Sequence, residues 1–394
     1  MQNFTQFAPT EVIFGKQTQT ETGKACKKWN GHRVFIVYGG GSVVKSGLLK
    51  EVEASLEAEG LSFTELGGVV PNPRLDLAEE GVRKALEFKA DMILAVGGGS
   101  VIDTAKAIAI GACYPDTPLW DIWMKKVTPE TALPVGVVLT IPAAGSEMSD
   151  SAVLTNKAIE KKAGLSTELN RVKFAIMNPE LAFTLPKYQL TCGIVDIMMH
   201  TLERYFIPDQ HCNMTDEIAE GLLRVVIKNA KILMKDQKDY NAMCEIMWCG
   251  SLSHNGLTGA GRDSDFSVHK IGHTLGARYD VAHGATLSCV WKSWAEYVYQ
   301  NDIDRFCHFG ESVWGLHEET KEKTAVAAIN KTVEFFEEIE MPVCLEDLDT
   351  NEITEEDMME MAESATSNGS VTLCKVKELG VQDVYEIFKG AKNK

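Results

Sequence analysis

The sequence predicts an α/β domain built on a parallel sheet over residues 1–187, followed by an all-helical domain over residues 188–394. Three observations carry this expectation. Near-continuous apolar runs at 34–38, 92–96 and 135–140 each end in a loop of small residues. Helical patterns at 45–59 and 101–110 follow the first two runs, as expected of a sheet covered on both faces. Past Leu185, Pro186 and Lys187 the apolar spacing turns helical and no clear strand follows.

The later elements follow the same logic. Residues 215–234 carry Ile218, Leu222, Val225, Val226, Ile232 and Leu233 at helical spacing, with Asp216 and Glu217 suited to a first turn. Residues 323–338 and 354–363 also read as helices, the second capped by Thr354 and opened by Glu355, Glu356 and Asp357. Neither an internal repeat nor a low-complexity stretch interrupts the pattern.

Composition narrows the function. The 394 residues, 45% hydrophobic and 24% charged, suffice for two cores. A net charge of -17 argues against a nucleic-acid partner, because a phosphate backbone needs a basic surface. Ten scattered cysteines without a CxxC pair read as free thiols of a reducing compartment. The first residues lack a basic stretch followed by an apolar core, and no run of about 18 apolar residues occurs. A cytoplasmic protein without signal peptide or membrane span is expected.

Two loops suit a nucleotide. Gly97, Gly98, Gly99 and Ser100 lie between a strand and a helix, where backbone N–H groups and a helix N-terminus meet phosphate oxygens. The GxGxxG spacing is absent, so a plain tight turn is the competing explanation. Asp103, one turn on, is either a solvated charge favouring the helix dipole or a ribose or supporting contact. Gly39, Gly40, Gly41 and Ser42 repeat the device after the first apolar run. No acidic residue stands there to hold a ribose 2′-hydroxyl, whereas glycine N–H groups and a serine would accept a 2′-phosphate.

Four of the nine histidines lie between 254 and 283. Asp196 and His200 are four apart, as are His269 and His273, so each pair shares a helix face. With His283 they offer imidazoles and a carboxylate around an open position, a donor set for Zn²⁺ or Fe²⁺. His254 falls outside the ligand set, and Glu203 reads as a surface or ion-paired residue.

Taken together, the 97–106 segment, Gly145-Ser146-Glu147, Thr184-Leu185-Pro186, Asp196-xxx-His200 and His269-xxx-His273 with His283-Gly284 resemble the iron-containing (group III) alcohol dehydrogenases. They do so in order over nearly the whole chain, in the manner of the butanol dehydrogenase and NADPH-dependent aldehyde reductase branch. The resemblance implies a Rossmann-like, dehydroquinate-synthase-like first domain and an enzyme moving hydride between a nicotinamide nucleotide and a small aldehyde or alcohol. It implies Asp196, His200, His269 and His283 as metal ligands and His273 as the catalytic residue near the substrate. The nucleotide would be held by Gly97 to Ser100, Asp103, Thr140, Ser146 and Ser149, with Lys162 or its neighbour Lys161 reaching the ribose or phosphate. Ala143 and Ala144 stand where many relatives carry threonines. Gly40 stands where NAD-using relatives place an aspartate, so NADP(H) is expected over NAD(H). The resemblance further implies a homodimer, with residues 7–14 as an intersubunit strand. Short neutral aldehydes and primary alcohols are the expected substrates, with Trp120, Trp123 and Met148 as candidates for the entrance or, individually, for the core. The rival on the same fold is a glycerol-dehydrogenase-like or dehydroquinate-synthase-like enzyme, whose sites use three protein ligands. The rival from another class is a non-catalytic metal- or nucleotide-binding protein.

Overall fold

The computed structural model describes residues 1–208 and 211–393. The chain forms two compact units, one of Phe7–Leu185 and one of Pro186–Lys394 with Met1–Gln6.

The first unit contains strands β1 (Glu11–Phe14), β2 (Arg33–Gly39), β3 (Ser62–Val69), β4 (Met92–Gly97), β5 (Val135–Leu139), β6 (Ser151–Asn156), β7 (Lys161–Ser166) and β8 (Phe174–Met177). Six of them form one sheet in the order β1-β8-β5-β4-β2-β3, and every pairing in it is parallel. The expected strands are β2, β4 and β5. Their residues are buried on both faces, which is why they read as unbroken apolar runs. Val34, Ile36, Leu94 and Val96 enter one core with Val52 and Leu56 of the helix Leu48–Ala58. Ala107 and Ile110 of the helix Gly99–Gly111 enter another, with Ala152, Leu154 and Leu165.

Strand order reverses between β2 and β4: from β2 the chain moves outward to β3, then returns to the other side of β2 for β4 and β5. A crevice at the carboxyl ends of two such strands is where open α/β sheets bind ligands. The two glycine-rich loops leave these same two strands.

Several expectations need correction. The helix expected at 45–59 is two helices, Ser42–Lys45 and Leu48–Ala58, parted at Gly47, whose φ of +85° a side chain would disfavour. β3, β8 and the antiparallel pair β6–β7 are strands that apolar patterning does not reveal, and of residues 7–14 only Glu11–Phe14 are extended into a strand. Trp123 and Met148 are buried, and Trp120 packs against the same core as Trp123, so the entrance role fails for Trp123.

The second unit is helical; among the described residues its β-structure is one isolated bridge, Leu373 to Leu379. Lys187–Tyr205 starts directly after Pro186 and is buried nearly all round, as a central helix must be. The helices Asn213–Leu233 and Lys321–Glu338 match their expected spans to within two residues. Thr354 caps Glu355–Ala365 through a reciprocal capping box with Asp357. Among the described residues no helix is long and apolar enough to cross a membrane.

Candidate metal centre and nucleotide half-site

Within the helical unit, Asp196 and His200 lie one turn apart on the helix Lys187–Tyr205, with exposures of 4% and 5%. His269, at 5%, comes from the first turn of Ser267–Tyr279. One donor atom from each of the three lies within 4.8 Å of the others. His269 Nε2 is 3.4 Å and His200 Nδ1 3.5 Å from Asp196 Oδ1. His283, the first residue of His283–Val298, places Nε2 3.6 Å from the same oxygen and is a quarter exposed. The expected tetrad therefore converges on Asp196, with His283 at its open side.

Asp196 Oδ1, His200 Nδ1 and His269 Nε2 are buried and have no hydrogen-bond partner among the described residues. Burying such atoms unpaired is costly, so three in one spot call for a cation. The residues fit a divalent ion: two imidazoles and a carboxylate in the cluster, a third imidazole beside it. Burial holds the His200 imidazole well below its ordinary pKa. Burial also opposes charge on His269, but Glu203 and Asp196 outweigh it and push His269 up to about 9.

His273, one turn after His269, is half-buried, with its ring centroid 6.2 Å from that of His269 and 5.2 Å from that of His283. It thus stands beside the cluster. His254, excluded on sequence, packs its ring edge-on to His200 with centroids 3.9 Å apart. Of the two alternatives the sequence left for Glu203, surface or ion-paired, the structure shows the ion pair, and buried; Arg204 the sequence did not single out. Glu203 is 2% exposed, and its carboxylate receives the Nδ1 side of His269. Arg204 is buried and donates to the His200 and Ser253 carbonyl oxygens at 2.6 and 2.9 Å. The only advance sign was their helical offset from His200.

Within the sheet unit, Gly97 and Gly98 bring β4 into the helix Gly99–Gly111. A Cβ on Gly97 would meet Val101 at 2.5 Å, and one on Gly98 would meet Ile141 at 2.9 Å, so a side chain at either position would have to displace its neighbour. The resulting turn exposes the helix N-terminus that an anion requires. Thr140 joins this turn by donating its N–H to the Gly97 carbonyl at 3.1 Å. Asp103 faces inward: it accepts from Ser146 Oγ at 2.6 Å and from the Val153 N–H at 2.9 Å. Ser146 and Ser149 are buried, and both hydroxyls meet Lys106 Nζ. That fully buried ammonium also donates to the carbonyls of Ser146, Ser149 and Ser151 at 2.7, 3.3 and 2.8 Å. Burial pushes Lys106 down to about 8, against the pull of Asp103 and Glu147. Asp103, Ser146 and Ser149 thus fasten the 145–151 segment onto the helix. Lys162 Nζ donates to Asn72 Oδ1 at 3.2 Å. Gly39, Gly40 and Gly41 line a hollow of about 400 Å³ with Lys45 and Gly67, and none of its lining residues is acidic. Ser42 opens the next helix.

A family model described as iron-containing alcohol dehydrogenase matches residues 9–179, and one for the C-terminal region of that family matches residues 191–392. The chain belongs to the iron-containing alcohol dehydrogenases. It is an NAD(P)-dependent oxidoreductase of the alcohol dehydrogenase and aldehyde reductase class, and the family implies an iron-type metal. Among relatives of this alcohol dehydrogenase, NADH-dependent butanol dehydrogenase A of Clostridium acetobutylicum is 38% identical over 99% of both chains. The NADPH-dependent aldehyde reductase YqhD of Escherichia coli is 35% identical over 88% of this chain and 89% of its own. The crystal structure of NADH-dependent butanol dehydrogenase A from Thermotoga maritima superposes with a TM-score of 0.95 at 35% identity, covering 100% of this chain and 99% of that one.

Proposed function

We propose that this alcohol dehydrogenase reduces short, neutral aldehydes to primary alcohols with NADPH, and runs the reverse with NADP⁺. The observation that carries the reading is the buried trio of unpartnered donor atoms on Asp196, His200 and His269. With His283 they would hold Fe²⁺ or Zn²⁺. When bound, the ion supplies Lewis acidity toward a carbonyl oxygen and the nicotinamide supplies the hydride. His273 stands next to the ligand cluster and outside it, where a neutral imidazole could pass a proton to the product oxygen.

Neutral substrates are supported by the basic residues nearby. Arg278 is paired with Asp357 and Glu360, Arg204 is turned to backbone carbonyls, and Lys270 is exposed. NADP(H) is supported by the glycine-lined hollow with Lys45 and no carboxylate. The names of the relatives divide between NADH and NADPH, so coenzyme choice is the finer part of the proposal. In it Gly39 to Ser42 take the 2′-phosphate, Gly97 to Ser100 and Thr140 the pyrophosphate end, and Lys162 the ribose or phosphate, while Asp103, Ser146 and Ser149 shape the segment beside them. The same reading takes the protein as a cytoplasmic homodimer, with the ten cysteines, none of them in a disulfide among the described residues, supporting a reducing compartment.

The test is NADPH oxidation followed at 340 nm with butyraldehyde, on metal-free protein and on protein loaded with Fe²⁺ or Zn²⁺. Turnover only in the loaded protein is expected. Faster turnover of a carboxylated or phosphorylated aldehyde, or a preference for NADH, would overturn the corresponding part.

A further inference from the structure

Glu203 lies two turns beyond Asp196 and three residues beyond His200 on the helix Lys187–Tyr205, and it is buried to 2%. A carboxylate is placed there only if its oxygens are occupied. One oxygen, Oε1, accepts the backbone N–H of Val268 at 2.6 Å and of His269 at 3.3 Å. The other, Oε2, meets Nδ1 of the His269 ring. The helix Ser267–Tyr279 has no side-chain cap from Phe266 at its start, so these two N–H groups depend on Glu203, while Asp265 takes that of Ser267 at 3.0 Å. One carboxylate therefore closes the first turn of a helix and grips the ring that the turn carries.

We propose that Glu203 is a positioning residue of the metal centre: it fixes the proton of His269 on Nδ1 and so keeps the lone pair of Nε2 turned toward Asp196 and His200. The inference rests on the metal reading of the preceding section. A ligand imidazole held through its other nitrogen by a carboxylate is a common way of setting tautomer and ring orientation, and loss of such a partner typically weakens metal binding about 10- to 100-fold.

The geometry makes Glu203→Gln an asymmetric probe. The two backbone donors hold an oxygen at the Oε1 place, so the amide nitrogen falls at the Oε2 place, facing His269 Nδ1. A nitrogen that donates there requires Nδ1 to accept, and the ring proton moves to Nε2, onto the metal-facing side. The helix cap survives while the lone pair is withdrawn.

The experiment uses Zn²⁺ and the full-length chain. Zinc affinity of the metal-free protein is measured by competition with a chromogenic chelator, alongside its melting temperature. In ¹⁵N-histidine-labelled, zinc-loaded wild type, two-bond ¹H–¹⁵N correlations report which nitrogen carries the proton. Glu203→Gln is expected to bind Zn²⁺ about 10- to 100-fold more weakly with little change in the metal-free melting temperature, and His269 of the wild type to show Nδ1–H. A variant that binds Zn²⁺ as tightly as wild type would overturn the inference and leave the metal reading standing. A wild-type His269 protonated on Nε2 would overturn it as well, whether or not the variant folds. A wild type that takes up no Zn²⁺ would overturn both.

Discussion

Gly284→Ala tests how the fourth candidate ligand is held. A Cβ at this position would lie 2.2 Å from the carbonyl oxygen of Cys192, 2.6 Å from its Cα and 2.7 Å from its carbonyl carbon. Ordinary contacts need about 3.5 Å. All three obstructing atoms are backbone, so no side chain can swing aside. The helix His283–Val298 must retreat from Lys187–Tyr205 by about 1 Å at this point. Overpacking of a core costs about 1–3 kcal/mol, and a backbone clash belongs at the upper end. At about 2–4 °C per kcal/mol for a unit of this size, the melting temperature should fall by about 6–12 °C. His283, the preceding residue, moves with the helix, away from Asp196, which its Nε2 approaches to 3.6 Å. A misplacement of about 1 Å at a reacting centre can cost on the order of 100-fold. The assay is a thermal melt together with kcat/KM for butyraldehyde at saturating metal. Melting within about 1 °C of wild type with an undiminished rate would refute the claim that this close approach sets the position of His283.

Three further outcomes are expected. His269→Ala should lose metal and activity together, whereas His273→Ala should keep most of its metal and lose about 10²–10⁴-fold in rate; elemental analysis of both decides, and equal depletion would make His273 a ligand. At Gly40 an added Cβ meets nothing within 4 Å, so Gly40→Asp should fold normally and lower the preference for NADPH over NADH; an unchanged ratio would show that the glycine-lined hollow does not hold the 2′-phosphate. Lys106→Met leaves the carbonyls of Ser146, Ser149 and Ser151 without this donor, at about 1–3 kcal/mol for each left unpaired; urea unfolding should show a loss of several kcal/mol and steady-state kinetics a raised coenzyme KM, and wild-type behaviour in both would dismiss the lysine as a fastener.

The central strands were legible because burial on both faces leaves little room for polar residues. β3 was not, since it mixes Thr64 and Glu65 with two glycines and buries only Leu66 and Val69. β7 carries two lysines and a glycine, and its pairing with β6 is visible only once both are placed. The ligand candidates were legible because two i,i+4 pairs are a local geometric fact. Glu203 was not, because its partner is 66 residues away and nothing local distinguishes a buried acid from a solvated one. Lys106 escaped for the same reason: its five oxygen acceptors lie 40 to 45 residues downstream. Pairwise burial of charge depends on the fold, whereas a helix-face repeat needs only the helix.

The membership of Met1–Gln6 in the helical unit has a bearing on biosynthesis. Gln2 donates its N–H to the Gly261 carbonyl at 2.7 Å, and the Gln6 side chain reaches the Asn255 carbonyl across 249 positions. These residues leave the ribosome before any of the sheet unit, yet their partners follow only after it. At roughly 5–20 residues per second, the interval is on the order of 10–50 seconds. Throughout that time the sheet unit can close its own core while residues 1–6 wait without these partners. The segment can therefore act only as a late clasp on the helical unit, and a chimera joined to a relative at residue 186 would have to exchange residues 1–6 along with the helices to keep both ends of the clasp from one parent.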